Sequence, residues 1–215
     1  MNAVVPWLPT LGGAFELSAI IVVQVVILST FIGIVGGLLL LYGPLPLRLL
    51  TRAYVDITRG IPVLVLIFAV YYVPSGLNIS LDAQTAAVVA LGVFAGAQVS
   101  EIVRGGIGSL PKAQLEAGKA MGLTSLQRFR LIVVPLALPR MMPPWTNTAV
   151  EIIKGSALAS LIGVTEFLYE TQSAVGTTFD PIPFYVFAAA VYFVCGFGLS
   201  QASHVVERRY RYMEL

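Results

Sequence analysis

Five long apolar stretches, separated by short segments rich in Gly, Pro and charge, set the pattern of this chain. The first covers residues 17–41, interrupted only by Gln24 and small side chains and ended by Gly43-Pro44-Leu45-Pro46. The second lies within residues 55–73, after Arg48, Arg52 and Arg59 and before Pro74-Ser75-Gly76. A third occupies 81–103, a fourth falls within 136–168, and a fifth runs over 184–203. A bilayer core about 30 Å thick is crossed by about 20 apolar residues in a helix, so each stretch predicts a membrane-spanning helix. The fourth is expected to be broken. Pro135, Pro139, Pro143 and Pro144 crowd its start, and Glu151 and Lys154 interrupt it. Proline removes a backbone donor and obstructs a helical turn. The pattern predicts a helix over 141–154, a break at Gly155-Ser156, and a second apolar helix.

Composition places the whole chain in lipid. Of 215 residues, 57% are hydrophobic and 11% charged, against roughly 25% charged in an ordinary soluble domain; the mean hydropathy is +0.87. The expected fold class is therefore an all-α polytopic membrane protein, a single transmembrane domain over residues 1–215. A net charge of +2 gives no reason to expect nucleic acid. Cys195 is the only cysteine, which excludes an intrachain disulfide and fits no metal site. No basic segment precedes the first apolar run, so no cleaved signal peptide is expected.

The placement of charge predicts the topology. Residues 1–47 hold no Lys or Arg, and neither do 74–82 or 155–183; the last of these carries Glu166, Glu170 and Asp180. The basic residues gather instead around Arg48, Arg52 and Arg59, around Arg104, Lys112, Lys119, Arg128 and Arg130, and at Arg208, Arg209 and Arg211. Lys and Arg accumulate in cytoplasmic loops. Five crossings with the N-terminus outside and the C-terminus in the cytoplasm bring every cluster to one side.

Residues 105–134 then form the largest cytoplasmic loop, with QLEAGKAMGL (114–123) at its centre. Ser109 or Leu110 can cap a helix with Pro111 in its first turn, where a missing N–H costs nothing. Lys112, Glu116 and Lys119 share one face of that helix and can pair; Ala113, Ala117 and Ala120 share the neighbouring face. Gly122 can take the left-handed conformation that ends it, and Thr124 with Gln127 reads as a capping box for the next helix. On these grounds alone the loop is either a docking element or a solvated amphipathic turn.

The order of several short motifs resembles one family. Glu116-Ala117-Gly118, then Gly122, then Ile132-Val133-Val134-Pro135 follow the spacing of the EAA signature of bacterial ABC-importer permeases, with Gly118 in place of the second alanine and Val134 in place of leucine. Arg59-Gly60-Ile61-Pro62, Glu101-Ile102-Val103-Arg104-Gly105-Gly106-Ile107, Pro111-Lys112-Ala113-Gln114 and Lys154-Gly155-Ser156-Ala157-Leu158 resemble elements of its polar-amino-acid branch, in order, over residues 15–210. The resemblance implies a type I ABC-importer permease fold in the bacterial inner (cytoplasmic) membrane. It implies ATPase coupling through Glu116, Ala117, Gly118 and Gly122, flanked by Arg104 and Lys112. The implied partners are cytoplasmic ATP-binding subunits, a second permease chain (a copy or a different one) and an external substrate-binding protein. The implied function is ATP-driven import of polar amino acids by alternating access. The alternatives are a nucleotide-independent secondary transporter or channel, or an ABC importer for another small polar solute.

No phosphate-binding loop of the form G-x-x-x-x-G-K-[ST] is present, so ATP hydrolysis is expected in a separate subunit and no cofactor in this chain. Ionisable groups at membrane depth are costly and point to function. Glu151 and Lys154 are therefore candidates for the substrate path, together with the polar Ser156 and Gln98. For Glu151 and Lys154, a mutually neutralising pair, or a Lys reaching the interface, is the alternative. Glu101 with Arg104 reads as a structural pair, Gly33/Gly37 and Gly92/Gly96 as close helix packing, and the single His204 as an interfacial side chain.

Overall fold

The computed structural model describes residues 3–210, the last five of these (206–210) by backbone alone. Arg211 lies outside the described residues, and the side chains of Arg208 and Arg209 outside those described. Every regular element among the described residues is helical. After a 3₁₀ turn at Val5–Trp7, the helices are α1 (Leu8–Tyr42), α2 (Leu45–Gly60), α3 (Val63–Gly76), α4 (Ala83–Gly108), α5 (Lys112–Ala120), α6 (Ser125–Arg128), α7 (Val134–Gly155), α8 (Phe167–Thr178) and α9 (Pro181–Tyr210). Three spans, Val5–Tyr42, Ala83–Gly108 and Pro181–Val205, are long and apolar enough to cross a membrane. There are five if each bent pair, α2 with α3 and the run Ser125–Ile162 with α8, is one crossing.

α4 is the hub. Its buried positions are mostly small, among them Ala86, Ala90, Gly92, Ala95, Gly96 and Ser100, so neighbouring backbones approach closely. Against α1 the glycines interlock: Gly33 faces Val99, Gly37 faces Val103, and Gly92 and Gly96 face Leu28 and Ile32. Both sequences advance together, so α1 and α4 run parallel, and the chain must return between them through α2 and α3. α7 runs against α4, with Arg140 Nη1 donating to Ser109 O at 2.9 Å and the Thr148 hydroxyl 3.5 Å from Gln98 Oε1. α9 runs against α7, with Ser203 Oγ 2.8 Å from Thr146 Oγ1. The C-terminal ends of α1, α4 and α9 therefore lie at one end of the bundle. Ile20, Val23, Ile27, Phe31 and Ile34 form an exposed apolar stripe on the outside of α1, the inverse of a soluble surface and suited to lipid.

Several boundaries differ from expectation: α4 continues to Gly108 past residue 103, α9 spans Pro181–Tyr210 beyond 184–203, and three other differences have a clear physical reason. The first helix starts at Leu8, nine residues before residue 17: Pro9 sits in the first turn, where its missing N–H costs nothing, and burial of Leu11 and Ala14 outweighs the poor propensity of Gly12 and Gly13. The single helix expected within 55–73 is two: the chain turns by 108° between α2 and α3. Pro62 lacks the donor α2 would need, and it holds Ile61 extended (φ −100°, ψ 133°), the conformation a residue before proline prefers. The fourth stretch is helical from Val134, not from 141. Pro135 sits in the first turn, a π-helical turn at Phe129–Val133 precedes it, and Pro139, Pro143 and Pro144 lie inside α7. Packing of α7 between α4 and α9 outweighs their unfavourable propensity. At Gly155-Ser156 the α-helix tightens into a 3₁₀ segment, Ser156–Ile162, that ends at the left-handed Gly163 (φ 85°).

Candidate functional site

A polar cleft of about 690 Å³ opens between α4 and α7, with the end of α2 at its edge. Helical spacing builds both walls. From α4, Phe94, Gln98, Glu101 and Gly105 recur every three or four residues and share a face; from α7, Arg140, Pro144, Thr148 and Glu151 do the same, with Asn147 beside them. Arg59 completes the lining from α2. A recess of about 180 Å³ adjoins it. The recess shares Phe94, Gln98, Thr148 and Glu151 with the cleft and adds Val63, Leu91, Ala95, Ile152 and Gly155.

The charges around this space are unequally paired. Glu101, whose side chain is 17% exposed, is held by two arginines: Arg52 Nη1 donates to Oε1 at 2.8 Å, and Arg104 Nη2 and Nε donate to Oε2 at 2.6 and 2.9 Å. The Glu101–Arg104 pair is thus part of a clasp that also ties α2 to α4, and Tyr54 adds to it by donating to Val93 O at 2.6 Å. Among the described residues Arg140 has neutral partners, Ser109 O and Oγ. Glu151 and Lys154 do not pair. The ion pairs among the described residues are Arg52–Asp56, Arg52–Glu101 and Arg104–Glu101.

The candidate path residues are therefore divided. Gln98 and Glu151 face each other across the cleft. Lys154 is exposed and lines neither the cleft nor the recess. Ser156 is buried, donates to Ile153 O at 2.8 Å, and borders a separate apolar cavity of about 190 Å³ with Ser18, Phe167, Tyr192 and Cys195. Arg59, Arg140, Asn147 and Thr148 escaped the sequence reading. The polar positions 140, 147, 148 and 151 carry a helical period that would have found most of them, but the prolines disguised the helix.

Sequence reading also missed Glu166, placed there in an external acidic stretch. It is fully buried. Its Oε1 accepts from the Tyr169 N–H at 2.9 Å, capping α8, and its Oε2 accepts from Ser18 Oγ at 3.1 Å and Tyr192 O–H at 3.3 Å. One carboxylate thus joins α8, α1 and α9.

The loop carrying Glu116, Ala117, Gly118 and Gly122 is a compact helical hairpin. α5 starts after Pro111, which occupies the cap position without a side-chain bond. It ends with Leu123 N–H donating to Gly118 O at 3.1 Å and Gly122 N–H to Lys119 O at 3.0 Å, around Gly122 at φ 75°. This is the paired-bond arrangement of a Schellman motif. Both capping-box bonds between Thr124 and Gln127 are present. Gly118 is buried against Arg128 and Ile132, and a Cβ there would fall 2.5 Å from Ile132 Cδ1, so α5 seals to the following segment at the position where alanine was expected. Lys112, Glu116 and Lys119 form no ion pair among the described residues; they are exposed, as are Ala113, Ala117 and Ala120.

Comparison with known proteins places this geometry. The chain is 32% identical to the L-cystine transport system permease protein of Bacillus subtilis, covering 97% of this chain and 93% of that protein. It is 36% identical to the probable glutamine ABC transporter permease protein of the same organism, over 86% of each. It is 32% identical to the glutamine transport system permease protein of Escherichia coli K12, over 83% of this chain and 82% of that one. The crystal structure of "an amino acid ABC transporter with histidines" superposes with a TM-score of 0.91 at 26% identity, covering 97% of both chains. An inward-facing form of the MetNI methionine ABC transporter shares the fold, with a TM-score of 0.78 at 20% identity over 95% of this chain and 98% of that one. Residues 29–212 match the family described as the binding-protein-dependent transport system inner membrane component. The helical bundle, its polar cleft and its helical hairpin thus belong to a permease: the chain is a member of the family of inner-membrane components of binding-protein-dependent transport systems.

Proposed function

We propose that this chain is the membrane-spanning subunit of an ATP-driven importer of polar amino acids, working by alternating access and coupled to a separate ATPase through α5. The observation that carries the reading is the hairpin itself. Its inner edge is sealed by Leu115 and Gly118, its end is fixed by Gly122, and its outer face leaves Lys112, Glu116 and Ala117 exposed with no ion pair among the described residues. A rigid, exposed helix at the arginine- and lysine-rich end of the bundle suits docking into a cytoplasmic protein, because a docked helix must carry displacement without bending. The same basic end supports a cytoplasmic C-terminus and an external N-terminus, by the excess of Lys and Arg in cytoplasmic loops.

Polar amino acids are the proposed cargo because the relatives named above carry cystine and glutamine, and because the cleft offers both charge signs. Within it Gln98 and Glu151 form the substrate path, while Lys154 and Ser156 stand outside its lining. The open side of the cleft leaves room for a second permease chain to complete it, and a substrate-binding protein would deliver cargo at the opposite end from α5. Hydrolysis of ATP belongs to the partner subunit. Alternation follows if ATP favours one of two bundle arrangements over the other, since a ligand shifts states only by differential affinity.

The test replaces Glu116 with Arg, or Gly122 with Val, and measures co-purification with the ATPase subunit and then ATP-dependent uptake in proteoliposomes. Loss of both is expected, with the permease still inserted in the membrane. Full uptake driven by an ion gradient without any ATPase would overturn the proposal in favour of a secondary transporter.

A further inference from the structure

We infer that the cleft, read as the substrate path proposed above, holds the ammonium group of a free amino acid at Glu151 and takes its side chain into the adjoining recess, so that it favours neutral side chains and rejects acidic ones. The inference rests on that reading of the cleft and adds the chemical class of the cargo.

Charge distribution is the first ground. Two carboxylates line the cleft, Glu101 and Glu151. The first is already occupied by Arg52 and Arg104. Glu151 is open to the cleft and pairs with no base among the described residues, including Lys154 three residues away. It is the carboxylate left free to meet a cation. The cations Arg59 and Arg140 line the cleft but not the recess, so a carboxylate group is attracted toward the cleft and away from the recess.

The second ground is the recess. Val63, Leu91, Ala95 and Ile152 make it largely apolar, and Gln98 and Thr148 supply its neutral polar groups. An apolar cavity of about 150 Å³ accommodates benzene, so about 180 Å³ has room for a medium side chain. Glu151 is the one charged residue on its wall. An acidic side chain entering there meets a like charge and no counter-cation, a repulsion strengthened where water is scarce. A basic side chain competes with the substrate's own ammonium for a single carboxylate and leaves one cation without a partner. A neutral side chain meets neither obstacle, and an amide or thioether can use Gln98 and Thr148. Discrimination here works by rejection as much as by attraction.

The experiment measures equilibrium binding of L-glutamine, L-alanine, L-glutamate and L-lysine to the intact transporter, with its ATPase subunits, in lipid nanodiscs without the binding protein. Glutamine is expected to bind at least tenfold more tightly than glutamate or lysine. Glu151→Gln should weaken glutamine at least tenfold and shrink its advantage over glutamate. Ala95→Leu, which narrows the recess, should weaken glutamine and spare alanine; Gly155→Ala, whose added methyl stands 3.7 Å from Leu91 Cδ2, gives a milder narrowing if the leucine variant fails to fold. Glutamate or lysine binding as tightly as glutamine, with Glu151→Gln weakening all alike, overturns the side-chain assignment and leaves the path standing. No binding of any probe, or affinities unmoved by Glu151→Gln, overturns both.

Discussion

At Gly122 the backbone decides what the side chain may be. Its φ of 75° lies in the left-handed region, where a Cβ costs roughly 1–2 kcal/mol, although the space around it is empty. Gly122→Ala should therefore loosen the end of α5 by about that amount and reduce recovery of the ATPase in pull-downs, without altering the membrane core. Gly118 follows a different logic. An added methyl there gains helix propensity, up to about 1 kcal/mol, and meets the flexible tip of Ile132. Gly118→Ala is expected to leave the thermal unfolding midpoint close to that of the parent protein, whereas Gly118→Leu should separate α5 from Ile132 and lower it. Glu166 is the residue whose loss should cost most outside the cleft. Removing its carboxylate leaves the half-buried Tyr192 hydroxyl and the Tyr169 amide without this acceptor and Ser18 with Ala14 O alone, and each buried group left unsatisfied costs about 1–3 kcal/mol. Glu166→Ala should lower thermal stability strongly. Glu166→Gln, which retains one acceptor oxygen, should lower it less.

Between elements, the α1–α4 seam depends on missing side chains. A Cβ at Gly37 would lie 2.5 Å from Val103 Cβ and 2.9 Å from Ser100 O, and a backbone atom cannot swing aside as the tip of a side chain can. Overpacking of this kind typically costs about 1–3 kcal/mol. Gly37→Ala should reduce stability accordingly, while Gly13→Ala, on the same helix in open space, should be neutral or stabilising; detergent-solubilised unfolding curves compare the two directly. The start of α4 carries a pH-dependent device. Asp82 accepts from the Thr85 N–H at 2.9 Å, and hydrogen bonding from Thr85, through its side chain first and its backbone N–H second, holds the carboxyl below the ordinary carboxylate range. A depressed folded-state value means the capping contribution is complete above the unfolded value, about 4, and fades as pH falls through the lower folded value. Protection of the Thr85 amide, relative to its intrinsic exchange rate, should fall below pH ~4 in the parent protein and show no such step in Asp82→Ala.

For the molecule as a whole, the parallel run of α1 and α4 is the strongest geometric constraint on how it crosses a membrane. Parallel neighbours need a return between them, and α2 with α3 supplies it through a 108° bend. The two ends of the bundle then differ in charge, with basic residues gathered around α2 and α5 and none in 74–82. After Cys195 is replaced by Ser, a cysteine at Lys119 should react with a membrane-impermeant maleimide only in inverted vesicles, and one at Asn78 only in intact cells. The opposite pattern would reverse the proposed orientation and detach α5 from any cytoplasmic partner.

The apolar stretches, the charge asymmetry between loops and the cap signals around Gly122 and Thr124 were legible in the sequence alone, because each rests on interactions within about ten residues. Hydropathy needs only the length of a run, and a Schellman glycine or a capping box needs only one turn of helix. What the linear pattern could not carry is how distant segments meet. It started the helix at 141, after Pro135 and Pro139, yet packing against α4 and α9 holds α7 from Val134 to Gly155. It grouped Lys154 and Ser156 with Glu151 by proximity in sequence, yet a helix turns by about 100° per residue, and only the packed neighbours decide which face opens into the cleft. It left Glu166 in an external loop, since nothing near it in sequence reveals that Ser18 and Tyr192, 148 and 26 residues away, close around it. Burial and pairing of charge are properties of the assembled bundle, and they separate Glu101, neutralised by two arginines, from Glu151, which has no ion pair among the described residues.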